Sequence, residues 1–237
     1  MTDRGIIFSG TMVRALLSGR KTQTRRLATS PLRHVVPGDR LYVRETSADQ
    51  HPLAIQDGRF SMPGRAGIPG PPGVSYRRIY RADGEPLQIW RHHEGHPYFT
   101  RSGPVDEIAA AHPSVCSNFA RDGKGIYWTP SIHMPRWASR LTLIVESVGI
   151  GPLHAISEED AWAEGVCGAV EDSQSSKFGD VDAATRREIV RQIIGNGRNA
   201  YRWLWDTLQG EGSWDEDPEV VSLTFQVIGD NIDRVTT

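Results

Sequence analysis

The sequence predicts an α+β fold: a mixed β-barrel with flanking helices, interrupted by a long loop-rich insertion. Three observations point there. Short β-type runs recur in separate stretches, joined by turns rather than by regular βαβ units. A few segments switch to helical periodicity, with capping residues at their ends. Between them lies a span rich in Pro and Gly, at about 47–125, that breaks both patterns. The whole chain of 237 residues reads as a single domain carrying this insertion.

Element by element, Ile6, Ile7 and Phe8 make a short buried strand. A helix follows, capped by Ser9 or Thr11, with Val13, Leu16 and Leu17 on its apolar face and Gly19 in the left-handed position that ends it. The basic stretch 20–26 is extended or turning, Pro37-Gly38-Asp39 is a turn, and Leu41-Tyr42-Val43 begins a strand. Within 46–75 the run GIPGPPG at 67–73 suits neither ladder nor helix. A strand is expected at Tyr76–Tyr80, a turn at Ala82-Asp83-Gly84, and irregular chain over 91–125 with a short helix near Ile108–Ala111. Regular structure returns at Leu141–Ile150, where Leu141, Leu143, Val145 and Ser147 face one way. Ser157 caps a helix, with Asp160 at the reciprocal position of a capping box and Ile156 stapled onto Ala161; Gly165 stops it. A helical region over about 182–208 breaks at Gly195-Asn196-Gly197, and Val220–Val227 is the final strand.

The mean hydropathy of -0.43 and the lack of any long apolar run predict a polar chain that does not cross a membrane. With no leader-like N-terminal segment, the expected location is cytoplasmic. Cys116 and Cys167, far apart, predict neither a disulfide framework nor a zinc knuckle. His92-His93-Glu94-Gly95-His96 lacks metal-ligand spacing and reads as solvated loop histidines, so no metal or cofactor is expected. The net charge of -2 conceals an asymmetry: 1–45 carries nine Arg/Lys against three acids, and 206–237 eight acids against Arg234. A basic head suits a phosphate-bearing partner; equally, head and tail neutralise one another.

The most informative segment is Gly19-Arg20-Lys21-Thr22-Gln23-Thr24-Arg25-Arg26. Its arginines offer forked donors and its threonines hydroxyls, which on composition alone fits a solvated basic face or a phosphate-binding row of Thr22, Thr24 and Arg26. Positions 21 and 24 have opposite parity, so on a straight strand their side chains point to opposite faces. Joint action by Lys21 and Thr24 needs a bend, or the long reach of the lysine stem. Arg44-Glu45 reads as a strand-end ion pair or a pocket wall, and Arg136-Trp137 beside His133 as a base-stacking clamp or a barrel edge. Tyr76-Arg77-Arg78-Ile79-Tyr80-Arg81 mixes aromatics and arginines as nucleic-acid surfaces do, although alternating Tyr and Ile on a barrel strand explains its apolar half without any ligand.

A helix, then GRKTQTRR, then PGD and a strand, resembles the signature of the ASCH domain (activating-signal-cointegrator homology) of the PUA-like superfamily. The helix ending Ala163-Glu164-Gly165 and the run Tyr201-Arg202-Trp203-Leu204-Trp205-Asp206 before the last strand are similar to later parts of the same pattern. Tyr42-Val43-Arg44-Glu45-Thr46 and the stretch 131–140 resemble larger ASCH proteins of bacteriophages and prophages. The resemblance spans both ends of the chain but not 47–125. It implies a barrel that handles a modified nucleoside or single-stranded nucleic acid. Small bacterial members remove the acetyl group of N(4)-acetylcytidine, using a Lys as proton acceptor, a Thr as nucleophile and a Glu as proton donor. Carried over by motif, these roles fall on Lys21, Thr24 and Glu164, with Arg26, Thr22, Arg44, Glu45, Arg136 and Trp137 around the substrate. Such chemistry is coherent, because a Thr hydroxyl needs a base, and Lys21 becomes one if flanking Arg20, Arg25 and Arg26 lower its pKa. The alternatives are an RNA-, DNA- or modified-base-binding module, a ribonuclease, and an accessory protein without a small-molecule pocket.

Overall fold

A computed structural model describes residues 2–50, 53–56, 59–61, 77–84, 88–92, 99–103, 128–173 and 182–235. The chain divides into two compact units, Met1–Arg44 with Pro135–Thr237, and Glu45–Met134. In chain order the first unit begins with β1 (Asp3–Ile7), α1 (Gly10–Leu17), β2 (Gln23–Leu27) and β3 (Arg40–Arg44). The second holds β4 (Ser47–Gln50), β5 (Leu53–Gln56), β6 (Arg59–Ser61), β7 (Arg77–Tyr80), β8 (Gln88–His92) and β9 (Phe99–Gly103). The first then resumes with β10 (Thr142–Pro152), α2 (Glu158–Ala163), α3 (Val166–Ser173), α4 (Ala183–Ile194), α5 (Gly197–Gln209) and β11 (Glu219–Ile228).

The first unit is α+β. Its five-stranded mixed sheet has the order β1-β3-β10-β11-β2, with β1 and β3 parallel and the remaining neighbours antiparallel. Leu41, Val43, Leu143, Val145, Val221, Leu223 and Phe225 are buried at alternate positions and form the core of this sheet. A register shift between Val145 and Ser147 interrupts β10, which is why Ser147 is exposed instead of continuing the row from Leu141. The sheet is not closed. Its edges, β1 and β2, share no ladder; the Arg26 guanidinium on β2 donates through Nη2 to the Ile7 carbonyl on β1 at 3.1 Å. Side chains, not main-chain pairs, fill the gap between the two edges.

Local chemistry sets the helix ends. Ser9 caps α1, its Oγ accepting from Met12 N, and buried Met12, Val13, Ala15 and Leu16 form the inner face. Gly19, at φ 68°, turns the chain so that the amides of Arg20 and Lys21 both reach the Ala15 carbonyl. Pro37-Gly38-Asp39 is structural: buried Asp39 accepts from the Thr2 and Val36 amides, and its backbone pairs with Val145. Ser157 caps α2. The expected break at Gly195-Asn196-Gly197 separates α4 from α5, and Asn196 caps α5. The Glu158 carboxylate accepts from the amides of Gly197 and Arg198 at 2.8 and 3.1 Å, satisfying two orphan donors of the α5 N-terminus.

The second unit carries more strand than its sequence announces. β4 pairs with β7, and β6-β5-β8-β9 form a four-stranded sheet in which β5 and β8 run parallel. The irregular chain expected over 91–125 therefore includes the end of β8 and all of β9; pairing partners distant in sequence override a weak local pattern. Buried Ile79 packs against Trp128, over which the Arg81 guanidinium lies at 5.8 Å. Ile79, between the arginines and Tyr80 of β7, thus gives part of a small apolar cluster. Tyr76, the GIPGPPG run, the helix expected near Ile108–Ala111, and Cys116 lie outside the described residues.

Candidate functional site

The first unit holds a cavity of about 350 Å³. Ile7, Phe8 and Ser9 line it from the β1–α1 junction, Met12 from α1, and Tyr201, Leu204, Trp205, Leu208 and Gln209 from α5. Lys21, Arg25, Arg26 and Glu164 supply its charged part. Apolar walls with a few convergent ionic groups are the usual make-up of a small-molecule site.

Gly165 builds the charged end. At φ 80° it ends the α2 turn, and a Cβ there would lie 3.1 Å from the Cβ atoms of both Ala15 and Lys21. The chain approaches closely enough for Glu164 and Lys21 to form an isolated antiparallel bridge, while Thr22 N donates to the Ala163 carbonyl. Lys21 is 2% exposed and Glu164 3%. Lys21 Nζ donates to the Glu164 carbonyl oxygen at 2.7 Å and to its Oε2 at 3.0 Å. Glu164 Oε1 accepts from Arg25 Nη1 at 3.1 Å, and Arg25 Nη2 donates to Asp160 Oδ2 at 3.0 Å. Asp160 also accepts from Gln23, so its carboxylate faces β2, and Gln23 and Arg25 help hold it below the usual carboxylate range against the opposing effect of burial.

Burial is the largest influence on Lys21 and lowers its pKa; Arg26 and Arg25 push the same way, and Glu164 opposes them. The expected direction is present with desolvation leading, and Arg20 instead donates to Ser18 Oγ. Burial, reinforced by Glu164, raises the Tyr201 phenol well above its ordinary value.

Of the motif residues, Lys21, Glu164 and Arg26 come together at the cavity. Thr24 does not line it: its side chain is fully buried and its Oγ1 accepts from Arg26 Nη1 at 2.8 Å. The extended-chain alternation persists, with Gln23 and Arg25 engaging α2 while Thr24 and Arg26 engage each other. Arg26 reaches the cavity by its length, its guanidinium 5.2 Å from the Phe8 ring centroid. Thr22 is exposed, and its role is main-chain, joining Ala163 to the Phe225 amide.

Four other expected contacts do not line the cavity. Arg136 is held by Asp233 and Asp3, with Nη2 2.6 Å from each, and Trp137 is 59% exposed. Arg44 ends β3 opposite Ile7, and Glu45 is buried with its amide directed at Met134 Sδ. Nor do the basic head and acidic tail simply cancel. Arg40 pairs with Asp3 and donates to the carbonyls of Ile232 and Val235, while Lys21 and Arg25 find their acids around α2.

Tyr201 and Trp205 were not among the expected site residues. They stand one helical turn apart on α5, which is the available signal: two aromatics with polar tips at i, i+4 on one helix face. Among the described residues no group of three or more His, Cys, Asp or Glu side chains is placed to hold a metal ion, and no helix is long and apolar enough to cross a membrane. His92 lies on β8; 93–96 lie outside the described residues, and Cys167 is buried and in no disulfide. No protein-family model, curated protein or solved structure matches the chain.

Proposed function

We propose that the cavity binds an acylated or otherwise modified nucleobase, with N(4)-acetylcytidine as the type substrate, and hydrolyses its exocyclic amide. The observation that carries this reading is the Lys21–Glu164 pair: a buried amine 3.0 Å from a buried carboxylate, both on the wall of a cavity the size of a small ligand. The family resemblance of GRKTQTRR and the α+β architecture support an ASCH-type, PUA-like ancestry. On that reading the seam between β1 and β2 corresponds to the cleft of an unclosed barrel.

Burial lowers the pKa of Lys21, so its ammonium gives up its proton more readily than that of a free lysine and the amine can serve as a base. In the reaction Lys21 takes a proton from the nucleophile as its oxygen attacks the acetyl carbon. The C–N bond breaks, and the proton taken up by Lys21 passes through the Glu164 carboxylate, 3.0 Å away, to the departing exocyclic nitrogen. A water molecule as nucleophile yields acetate and cytidine directly. Attack by Thr24 would pass through an acetyl ester that water then cleaves, and it requires Thr24 to exchange its bond to Arg26 for a position at the cavity. The geometry favours water, with Thr24 holding Arg26 at the wall.

A second reading, base binding without turnover, is favoured by the two bonds Lys21 Nζ already makes to Glu164, as in a structural ion pair. One assay separates them. Purified protein incubated with N(4)-acetylcytidine should release cytidine and acetate, and Lys21→Ala and Glu164→Gln should each reduce the rate at least about 100-fold, the scale of general acid–base catalysis. Binding without release establishes the second reading. Turnover undiminished in both variants removes the proposed mechanism.

A further inference from the structure

Tyr201 is 3% exposed and lines the cavity, yet among the described residues its hydroxyl takes part in no hydrogen bond. A phenol buried this deeply normally finds a partner. Its surroundings are ring contacts, with Trp205 and Trp214 centroids each 6.2 Å away. The electrostatic influences on the hydroxyl come from Glu164, Arg25 and Arg26, all of which line the same cavity. Tyr201 thus shares the cavity wall with the ionic groups against which a ligand's polar edge would sit. One turn along α5, the buried Trp205 Nε1 also lacks a partner. This wall carries two polar tips, that of Trp205 buried, and supplies neither with an acceptor among the described residues.

We propose that Tyr201 selects the ligand by donating its O–H to a lone pair on the ring of the bound base, so that the site takes flat heteroaromatic rings bearing a carbonyl or ring-nitrogen acceptor and discriminates against rings without one. The ionic groups cannot make this choice alone, since Lys21 and Arg25 are already committed to Glu164 and Asp160. Phe8, Met12, Leu204 and Trp205 contact a flat ring whatever its edge carries. Because burial keeps the phenol protonated, it offers a donor throughout the neutral and mildly alkaline range. A ligand that covers this donor without accepting from it leaves it unpaired and is penalised, and this is how a single polar group discriminates between ligands of one shape.

The inference rests on the cavity being a base-binding site, and its test reads binding alone. N(4)-acetylcytosine and acetanilide present the same acetamide on flat rings, one with ring acceptors and one without. Calorimetry on the full chain should show the wild type favouring N(4)-acetylcytosine by about 2- to 13-fold, the range of one net hydrogen bond. Tyr201→Phe should bring that ratio close to one, with an unchanged thermal midpoint. If Tyr201→Phe does not fold, Tyr201→Met repeats the measurement. Equal affinity of the wild type for both probes overturns the proposal, as does a ratio preserved in the variant or binding of neither probe. A ratio that collapses as expected, alongside no acetate release from N(4)-acetylcytidine, refutes the hydrolase reading and leaves this one standing.

Discussion

Removing the carboxylate of Glu164 should cost far more stability than removing the amine of Lys21, although the two form one ion pair. Glu164→Ala strips two buried cations of their shared acceptor. Lys21 keeps only the Glu164 carbonyl at 2.7 Å, and Arg25 keeps Asp160 and Gln23. Breaking a buried pair from one side costs about 3–5 kcal/mol. For a chain of this size each kcal/mol moves the melting midpoint by about 2–4 °C, so a fall of about 6–20 °C is expected. Lys21→Met instead removes a cation whose burial is itself costly, fills similar volume, and leaves Glu164 paired with Arg25 at 3.1 Å. Its expected cost is about 0–2 kcal/mol, because an apolar replacement offsets the lost pair. The difference depends on pH. The folded pKa of Lys21 lies below its ordinary 10.5, so between the two values the unfolded chain binds more protons and wild-type stability rises with pH. Below the folded value the full cost of the buried ammonium is present; above about 10.5 it is gone. Lys21→Met should therefore compare best with wild type at neutral pH and worst near pH 10. Urea unfolding followed by tryptophan fluorescence at pH 7 and pH 10 measures both effects. Lys21→Met losing as much as Glu164→Ala at pH 7, or a comparison independent of pH, would refute this account of the pair.

Two further substitutions test how the site is positioned. Gly165→Ala forces a Cβ onto a residue at φ 80°, within 3.1 Å of the Ala15 and Lys21 Cβ atoms; a loss of about 1–3 kcal/mol is expected and, on the proposed function, reduced affinity for N(4)-acetylcytidine because the Lys21 backbone must shift. Thermal unfolding and calorimetry measure the two, and an unchanged midpoint would contradict the close approach. Glu158→Ala removes the carboxylate that receives the Gly197 and Arg198 amides and should cost about 1–2 kcal/mol, with faster amide hydrogen exchange in the first turn of α5 than elsewhere in that helix.

Features governed by neighbouring residues were legible in the sequence. Ser9, Gly19, Ser157, Gly165 and the Gly195–Gly197 break act through local capping and left-handed backbone, and each stands where the pattern puts it. Features set by distant partners were not. Strand order is decided by which apolar faces meet, and nothing in 23–27 announces pairing with 220–224. The bulge after Val145 reverses the facing of Ser147 without a sequence mark. At the site, the contact between Lys21 and Glu164 spans 143 positions and was reached only through a motif resemblance. Arg136 and Arg44 look alike as arginines beside chemistry-bearing neighbours, yet Asp3 and Asp233 claim Arg136, and only three-dimensional placement reveals it. Tyr201 was hidden because an aromatic in an amphipathic helix reads as core, and whether its hydroxyl faces a hollow has no signature in spacing.

The two ends of the second unit lie close together. Val43 N meets the Leu141 carbonyl, Glu45 N meets Met134 Sδ, and Ser47 and Thr129 exchange both main-chain bonds. Outgoing and returning segments thus run side by side, so lengthening or excising what lies beyond these pairings changes a loop whose ends are already pinned together. The closure entropy of such a loop grows only logarithmically with its length. Extra chain between these pinned ends therefore adds little to the closure cost, whatever its length.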